Sequence, residues 1–202
     1  MFYSVRYFSP VGPLTVVSDE DHVVGLWIDG QKYFQSTLTV PPVSATDRPV
    51  LMQAVSWLDR YFSGQKPSPD ELPLAPAGSE FRRFIWQALC RIPWGSVVTY
   101  GELAEQAARA FHRKTMSAQA VGGAVGHNPI SIIIPCHRVV GSNGSLTGYA
   151  GGIDKKIRLL RLEGVNTDLF HSPAQAVSRR PRTSPAQAER RGAAIRISGR
   201  NA

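Results

Sequence analysis

Cysteine is almost missing from this chain: its 202 residues carry only Cys90 and Cys136. Two thiols cannot knit a disulfide framework into a protein of this size, so a reducing, cytoplasmic setting is expected. Long apolar runs are missing too. No window approaches the roughly 18 consecutive apolar residues that a membrane span needs, and no membrane role is expected. The opening MFYSVRYFSP lacks a basic segment followed by an apolar one, which argues against a secretory leader. Acids are the scarcer charge, 15 against 23 Lys and Arg, for a net +8. That balance suggests a polyanionic partner. Its placement qualifies the suggestion, because residues 171–202 hold seven arginines and one acid, six of the eight net charges. Any basic face on the rest must come from where charges sit, not from their excess.

What is present divides into two folded segments. Residues 2–8, 14–18 and 23–28 are short β-rich runs separated by the turn-like SPVGP and SDEDH, which predicts an antiparallel meander. A helix is predicted over 49–62, where Val50, Leu51, Ala54, Val55, Leu58, Tyr61 and Phe62 share one face. Asp47 is placed to cap it, and Ser63-Gly64 ends it. We assign 1–64 to an α/β domain. The four-proline stretch that follows is read as a linker over 65–78.

The second segment, 79–167, is mainly helical by pattern. Phe81, Phe84, Ile85, Ala88 and Leu89 recur at helical spacing. Thr99 and Glu102 form a capping-box pair, from which a helix runs to about Phe111. A short helix over 117–125 is built almost wholly of small residues, SAQAVGGAV. The pair reads as a helix-turn-helix, although ordinary helix packing explains it equally well. Each mid-helix glycine costs roughly 1 kcal/mol relative to alanine. Gly122 and Gly123 are therefore expected to serve close approach of another backbone, protein or nucleic acid. Asn128-Pro129 forces a turn, and a strand over 130–134 is expected to deliver Cys136. A last helix starts at Asp154 and is closed by Glu163-Gly164. Residues 168–202, rich in Pro, Ala, Ser and Arg and containing SPAQA twice, are read as a disordered basic tail.

The stretch IIIPCHRVVG poses the chemical question. Structural zinc wants paired cysteines and histidines at set spacings, and one Cys beside one His does not supply them; no metal is expected. Cys90 follows Leu89 on an apolar helix face and is read as a core thiol. Cys136 sits at an expected strand end, with His137 and Arg138 directly after it and the glycine-rich SLTGYAGG loop nearby. A polar or cationic neighbourhood lowers a thiol's pKa and favours a nucleophile. On these residues alone an inert core thiol and a nucleophile both stand.

NPISIIIPCHRVVGSNGSLTGYAGG, residues 128–152, closely resembles the active-site segment of the methylated-DNA–protein-cysteine methyltransferases, the 6-O-alkylguanine-DNA alkyltransferases. The resemblance is strong over 79–164 and looser over 1–62. It implies a ribonuclease H-like α/β N-terminal domain, a small antiparallel sheet plus helix. A mainly α, winged-helix-like DNA-binding domain would follow. It implies a DNA-repair protein that flips an alkylated base out through the minor groove. The alkyl group of 6-O-alkylguanine, and of 4-O-methylthymine, would pass irreversibly to Cys136 in a single turnover. No cofactor is implied, nor any obligate protein partner; the partner is double-stranded DNA with alkylated bases, met by a monomer.

The resemblance also assigns roles. His137 would take the thiol proton through a bound water, Glu163 would orient His137, and Asn128 would brace the turn before the cysteine. Tyr149, Ala150 and Gly151 would hold the guanine. Tyr100 would donate to the flipped base or turn the 3′ phosphate. Gln119, Ala120 and Gly122 would lie on the recognition helix. Arg138, counted with the substrate and DNA contacts, is expected to pair with an acid or with carbonyls near the site. Two positions depart from the family's pattern: Gln119 replaces the arginine that fills the gap left by the flipped base, and Ala150 replaces a serine. Arg109, Arg113 and Lys114 are candidates to offset the missing charge at phosphates. Three other functions compete. A non-catalytic lesion binder would lack Cys136. A Cys–His hydrolase is disfavoured because adjacent residues cannot easily hydrogen-bond. A plain DNA-binding regulator would use the helix pair alone.

Overall fold

The computed structural model describes residues 1–171. The tail reading for 172 onward lies outside the described residues. Three strands, β1 (Tyr3–Ser9), β2 (Gly12–Ser18) and β3 (Val23–Ile28), form the meander expected from the alternating runs, and β4 (Val43–Ser44) adds to β1 in parallel. The sheet order is β3-β2-β1-β4. Helix α1 (Pro49–Phe62) packs its apolar stripe on this sheet, burying Leu51, Ala54, Trp57, Leu58 and Tyr61. Each large apolar side chain so buried contributes about 1.5–3 kcal/mol.

The cap of α1 is not the one expected. Arg48, not Asp47, is the N-cap, and no side chain bonds the free amides. Pro49 at the first helical position removes one orphan donor outright. Arg48 turns instead onto the Tyr3 ring, 3.7 Å from its centroid.

The Pro-rich 65–78 stretch is strapped to the first segment. Trp57 Nε1 donates to the Ser68 carbonyl at 2.8 Å, a 3-10 turn covers Pro69–Glu71, and Leu74 bridges Val23. Beyond it come α2 (Glu80–Cys90), β5 (Val98–Thr99), α3 (Tyr100–Ala110), α4 (Ala118–Gly126), β6 (Val139–Val140) and α5 (Ile153–Leu162). Ser79, Thr99 and Ser117 cap α2, α3 and α4, and the Thr99–Glu102 box is complete. β5 and β6 pair in parallel. Trp86 Nε1 fastens α2 to the Ala124 carbonyl of α4 at 2.9 Å. One apolar core runs through both segments, from Leu14 and Leu58 to Leu89 and Ile133.

Two further expectations fail. Residues 130–134 are not a strand. Ile130 makes a single bridge to Leu26, Ser131 bridges Ile134, and the chain reverses at Ile132 with φ 72. The aliphatic run signals burial, with Ile130, Ile132, Ile133 and Ile134 all in the core, but the Asn128 side chain folds it into a turn. The tail does not begin at 168 either. A 3-10 turn spans Thr167–Leu169, and His171 exchanges backbone bonds with Gly144 and Leu146, so pairing holds the chain to that point. No helix among the described residues is long and apolar enough to cross a membrane.

Candidate active site

The turn ahead of Cys136 is built by one amide side chain. Asn128 Oδ1 accepts from the Ile130 amide at 3.0 Å, and its Nδ2 faces the carbonyls of Ile134 at 2.8 Å and Ile130 at 3.3 Å. The same Nδ2 donates to Cys136 Sγ at 3.1 Å. Cys136 then opens a 3-10 turn, Cys136–Arg138, with all three side chains buried. A turn of this kind can send adjacent residues into one enclosed space, which a strand's alternating faces forbid.

Burial dominates the thiol. It pushes the Cys136 pKa up, while the Asn128 bond and the positive charge of Lys156 pull the other way. The expectation of a lowered thiol pKa is therefore reversed: backbone amides, the His137 amide included, help the thiolate, but burial outweighs them. Such a thiol needs a base to ionise it.

His137 is placed to be that base. It is fully buried, and its Nε2 lies 2.7 Å from Glu163 Oε1. Burial raises the proton affinity of the Glu163 carboxyl, but hydrogen bonds from His137 and Arg138 and the charge of Arg138 outweigh it and hold the carboxyl below the usual range. An ionised carboxylate can only accept, so His137 carries its proton on Nε2. Nδ1 is left with its lone pair, and among the described residues it has no hydrogen-bond partner. Burial holds the imidazole pKa down despite Glu163, which keeps the ring neutral.

Glu163, the C-cap of α5, gathers four groups. Besides His137, it accepts from Arg138 Nε at 2.8 Å and Arg138 Nη2 at 2.9 Å, and from the Tyr61 hydroxyl at 2.7 Å. Arg138 Nη1 donates to the Ile92 carbonyl at 2.5 Å. Every polar arm of Arg138 is thus used inside the protein and the residue is buried. It belongs to the support of the site and not to a DNA contact, because its planar fork is matched to a carboxylate that would otherwise be an isolated buried charge.

The glycine-rich loop closes the far side. The Tyr149 ring stands edge-on to His137, with centroids 6.5 Å apart, and its buried hydroxyl has no partner among the described residues. A side chain on Gly151 would lie 2.7 Å from Ile28 and 2.9 Å from the Tyr149 ring, and Gly148, at φ +83, sits against the Tyr100 hydroxyl. Tyr100, at the start of α3, donates to the Thr147 carbonyl at 3.2 Å, and burial raises its pKa to about 12. The Ala150 carbonyl accepts from the Lys32 amide of the first segment.

Cys136, His137, Glu163, Asn128, Arg138, Tyr149 and Tyr100 are therefore drawn into one buried cluster. Gln119 and Ala120 are apart from it, exposed on α4 with their amides bonded to Ser117 Oγ. A side chain on Gly122 would meet the Tyr100 ring only at ordinary contact distance, and one on Gly123 would face open space. The close protein approach expected at these glycines is thus absent among the described residues. Two residues of the cluster escaped the sequence reading. One is Tyr61. The other is Lys156, fully buried with Nζ on the carbonyls of Val139 at 2.5 Å and Thr147 at 3.0 Å, its pKa lowered by burial to about 8. Lys156, Leu159, Leu160 and Glu163 share one helical face, so the pattern that marks Leu159 and Leu160 as core also marks Lys156.

The remaining thiol, Cys90, is half-buried and lines a cleft of about 890 Å³ between 69–77 and α2, whose walls include none of the cluster above except by way of neighbouring Ile134. Burial raises its pKa to about 11. No group of three or more His, Cys, Asp or Glu suited to a metal occurs among the described residues.

Two family models cover most of the chain. Residues 1–76 match the ribonuclease-like domain of 6-O-methylguanine DNA methyltransferase, and residues 80–165 match its DNA-binding domain. A methylated-DNA–protein-cysteine methyltransferase of Methanosarcina acetivorans is 40% identical over 165 residues, 81% of this chain and 99% of the relative. One from Haemophilus influenzae is 40% identical over 164 residues, 81% of this chain and 87% of the relative. Among solved structures, the Mycobacterium tuberculosis 6-O-methylguanine methyltransferase superposes with a TM-score of 0.68 at 38% identity, over 81% of this chain and 93% of that one. The Mycobacterium tuberculosis OGT in complex with DNA superposes with the same score at 35% identity, over 83% and 97%.

Proposed function

This chain belongs to the 6-O-methylguanine DNA methyltransferase family, and from that premise we propose how its own residues carry out alkyl transfer. The protein repairs DNA by moving the alkyl group of 6-O-alkylguanine onto its own cysteine. Cys136 is that acceptor in our reading. The observation that carries it is the buried line from Glu163 through His137, whose Nδ1 is left free, beside a thiol already held by Asn128.

The Cys136 proton passes to His137 Nδ1, through one water. The thiolate attacks the alkyl carbon in line with its bond to the guanine oxygen. The S–C bond forms as the C–O bond breaks, and that electron pair leaves on the base. His137 returns its proton to the departing guanine, so the proton lost by the thiol ends on the product. The thioether has no route back, and each molecule acts once. General-base help of this kind is worth roughly 10²–10⁴-fold.

The other roles follow from exposure and donor capacity. Tyr149, Ala150 and Gly151 form the wall against which the base rests, and the neutral Tyr100 hydroxyl is the donor beside it. Gln119, Ala120 and Gly122 present the outer face of α4 to the minor groove. Flipping costs a few kcal/mol, less for a poorly paired damaged base. Gln119 would fill the gap by hydrogen bonding, without an arginine's charge. The family models meet the chain as two units, which we bound at 1–78, with the Pro-rich stretch packed on the first, and 79–171, where His171 still pairs with Gly144 and Leu146. We take the protein to act as a monomer in the cytoplasm, where free thiols persist.

Incubation with a duplex containing 6-O-methylguanine, followed by peptide mass analysis, tests the assignment. One methyl on the Cys136 peptide, in stoichiometric amount and absent from Cys136→Ser, is expected. Continued turnover, or methyl on Cys90, would overturn it.

A further inference from the structure

Glu163 is held from both ends of the chain. Three of its four hydrogen bonds come from His137 and Arg138 in the second segment. The fourth comes from Tyr61, near the end of α1 in the first, whose hydroxyl donates to Oε1 at 2.7 Å. His137 Nε2 and Arg138 Nη2 also donate to that oxygen, so Oε1 takes three bonds. The hydroxyl lies 3.4 Å from Nε2 itself. Tyr61 is fully buried and its ring is fixed on three sides. Trp57 stacks on it with centroids at 5.3 Å, and Phe62 and Trp94 meet it edge-on at 5.1 and 5.2 Å. Trp57 is in turn pinned through Nε1 to the Ser68 carbonyl.

We propose that Tyr61 is a positioning residue for alkyl transfer: by sharing Glu163 Oε1 with His137 it limits how strongly the carboxylate stabilises an imidazolium, and so keeps His137 neutral and able to take the Cys136 proton. The inference rests on the reading of Cys136 and His137 given above. Each further bond that a carboxylate oxygen accepts leaves it less charge to offer the imidazole, and the Tyr61 bond is the third on Oε1. Burial, then the charge of Glu163, holds the Tyr61 hydroxyl far above its usual pKa, so it donates as a neutral phenol. Other groups bear on the pair. Arg138 forks onto Glu163, Lys156 reaches in from α5, Tyr149 faces the imidazole from the loop, and Cys136 is the next residue on the 3-10 turn. None of these four is hydrogen-bonded to Oε1 from the first segment. Among the described residues, Tyr61 is the first-segment side chain hydrogen-bonded to Oε1, and it ties the proton affinity of His137 to how that segment is docked.

The test is the pH dependence of the single-turnover rate on a 6-O-methylguanine duplex, with 15N titration of His137 alongside. In Tyr61→Phe, His137 should bind its proton at higher pH. The acid limb of the rate profile should move up by about one unit, which is about a tenfold loss on that limb. At alkaline pH the rate should return to within about twofold of wild type, because enough His137 is then neutral. A rate loss equal at every pH would mark Tyr61 as packing only and overturn the inference, as would an unaltered profile and unaltered 15N titration. Should Tyr61→Phe melt below the assay temperature, site-specific replacement of Tyr61 by a ring-difluorinated tyrosine keeps the ring and strengthens the donor. The acid limb must then move to lower pH. Absence of methyl on Cys136 in wild type would sink the parent reading instead, and the His137 titration would still decide the role of Tyr61.

Discussion

Glu163 and Arg138 form an ion pair closed to water, and its energetics are set by what each would become alone. Removing one partner of such a pair typically costs about 3–5 kcal/mol, because the other is left charged and desolvated. Arg138→Met should therefore lower the unfolding free energy by about that amount in urea titrations. A loss under about 1 kcal/mol would mean that water or another cation reaches Glu163. Arg138→Lys should rescue only part, since an ammonium cannot bond both oxygens and the Ile92 carbonyl in one plane. At this scale the sequence was legible wherever chemistry is local. Cys136, His137 and Asn128 sit within ten residues and announce a site together. Tyr61 was legible only as core. Its ring fits the apolar stripe of α1, but its partner lies 102 residues on, and no spacing rule reaches that far.

Among the elements, α4 has the least internal reason for its composition. Gly123 faces open space, so alanine would fit there without a clash. Gly123→Ala should stabilise the free protein by roughly 0.5–1 kcal/mol, the helix-propensity gain, and raise its melting temperature. If the outer face of α4 enters a groove, the same change should weaken binding to duplex DNA in a titration at fixed salt. An unchanged affinity would show that the glycine is not there for close approach. The start of α3 was readable because the Thr99–Glu102 box is a chemical signal in itself, whereas the caps Ser79 and Ser117 went unread and Asp47 was misread. The turn over 130–134 was not readable either. Four buried isoleucines look the same in a strand and in a reversal, and the deciding feature, positive φ at Ile132, is imposed by the distant end of the Asn128 side chain. β-branched residues rarely adopt that backbone. The local strain is thus held by tertiary bonds that the pattern does not display.

For the whole molecule, the buried titratable groups set the acid side of stability. His137 has a folded pKa below its ordinary value, so the unfolded chain takes up a proton there that the folded chain refuses. Stability from this group is complete above about pH 6.5 and is lost as pH falls below it. Glu163 follows the same sign lower down: its contribution is complete above about pH 4.3 and is lost as pH falls toward about 2. Urea midpoints measured from pH 8 to pH 2 should decline in two stages, one below about pH 6.5 and one below about pH 4.3. The first should vanish in His137→Gln. Its persistence there would assign the decline elsewhere.

The four bonds on Glu163 also impose an order in time. During synthesis α1, with Tyr61, emerges first, Cys136 and His137 next, and the carboxylate at the end of α5 after both. Domains generally fold from the N-terminus during synthesis. Until α5 docks, the imidazole has no acceptor for its Nε2 proton and the thiol keeps its ordinary, sluggish chemistry. A molecule that reacts only once is thereby armed last, by the same helix whose Lys156 ties down the glycine-rich loop of its pocket.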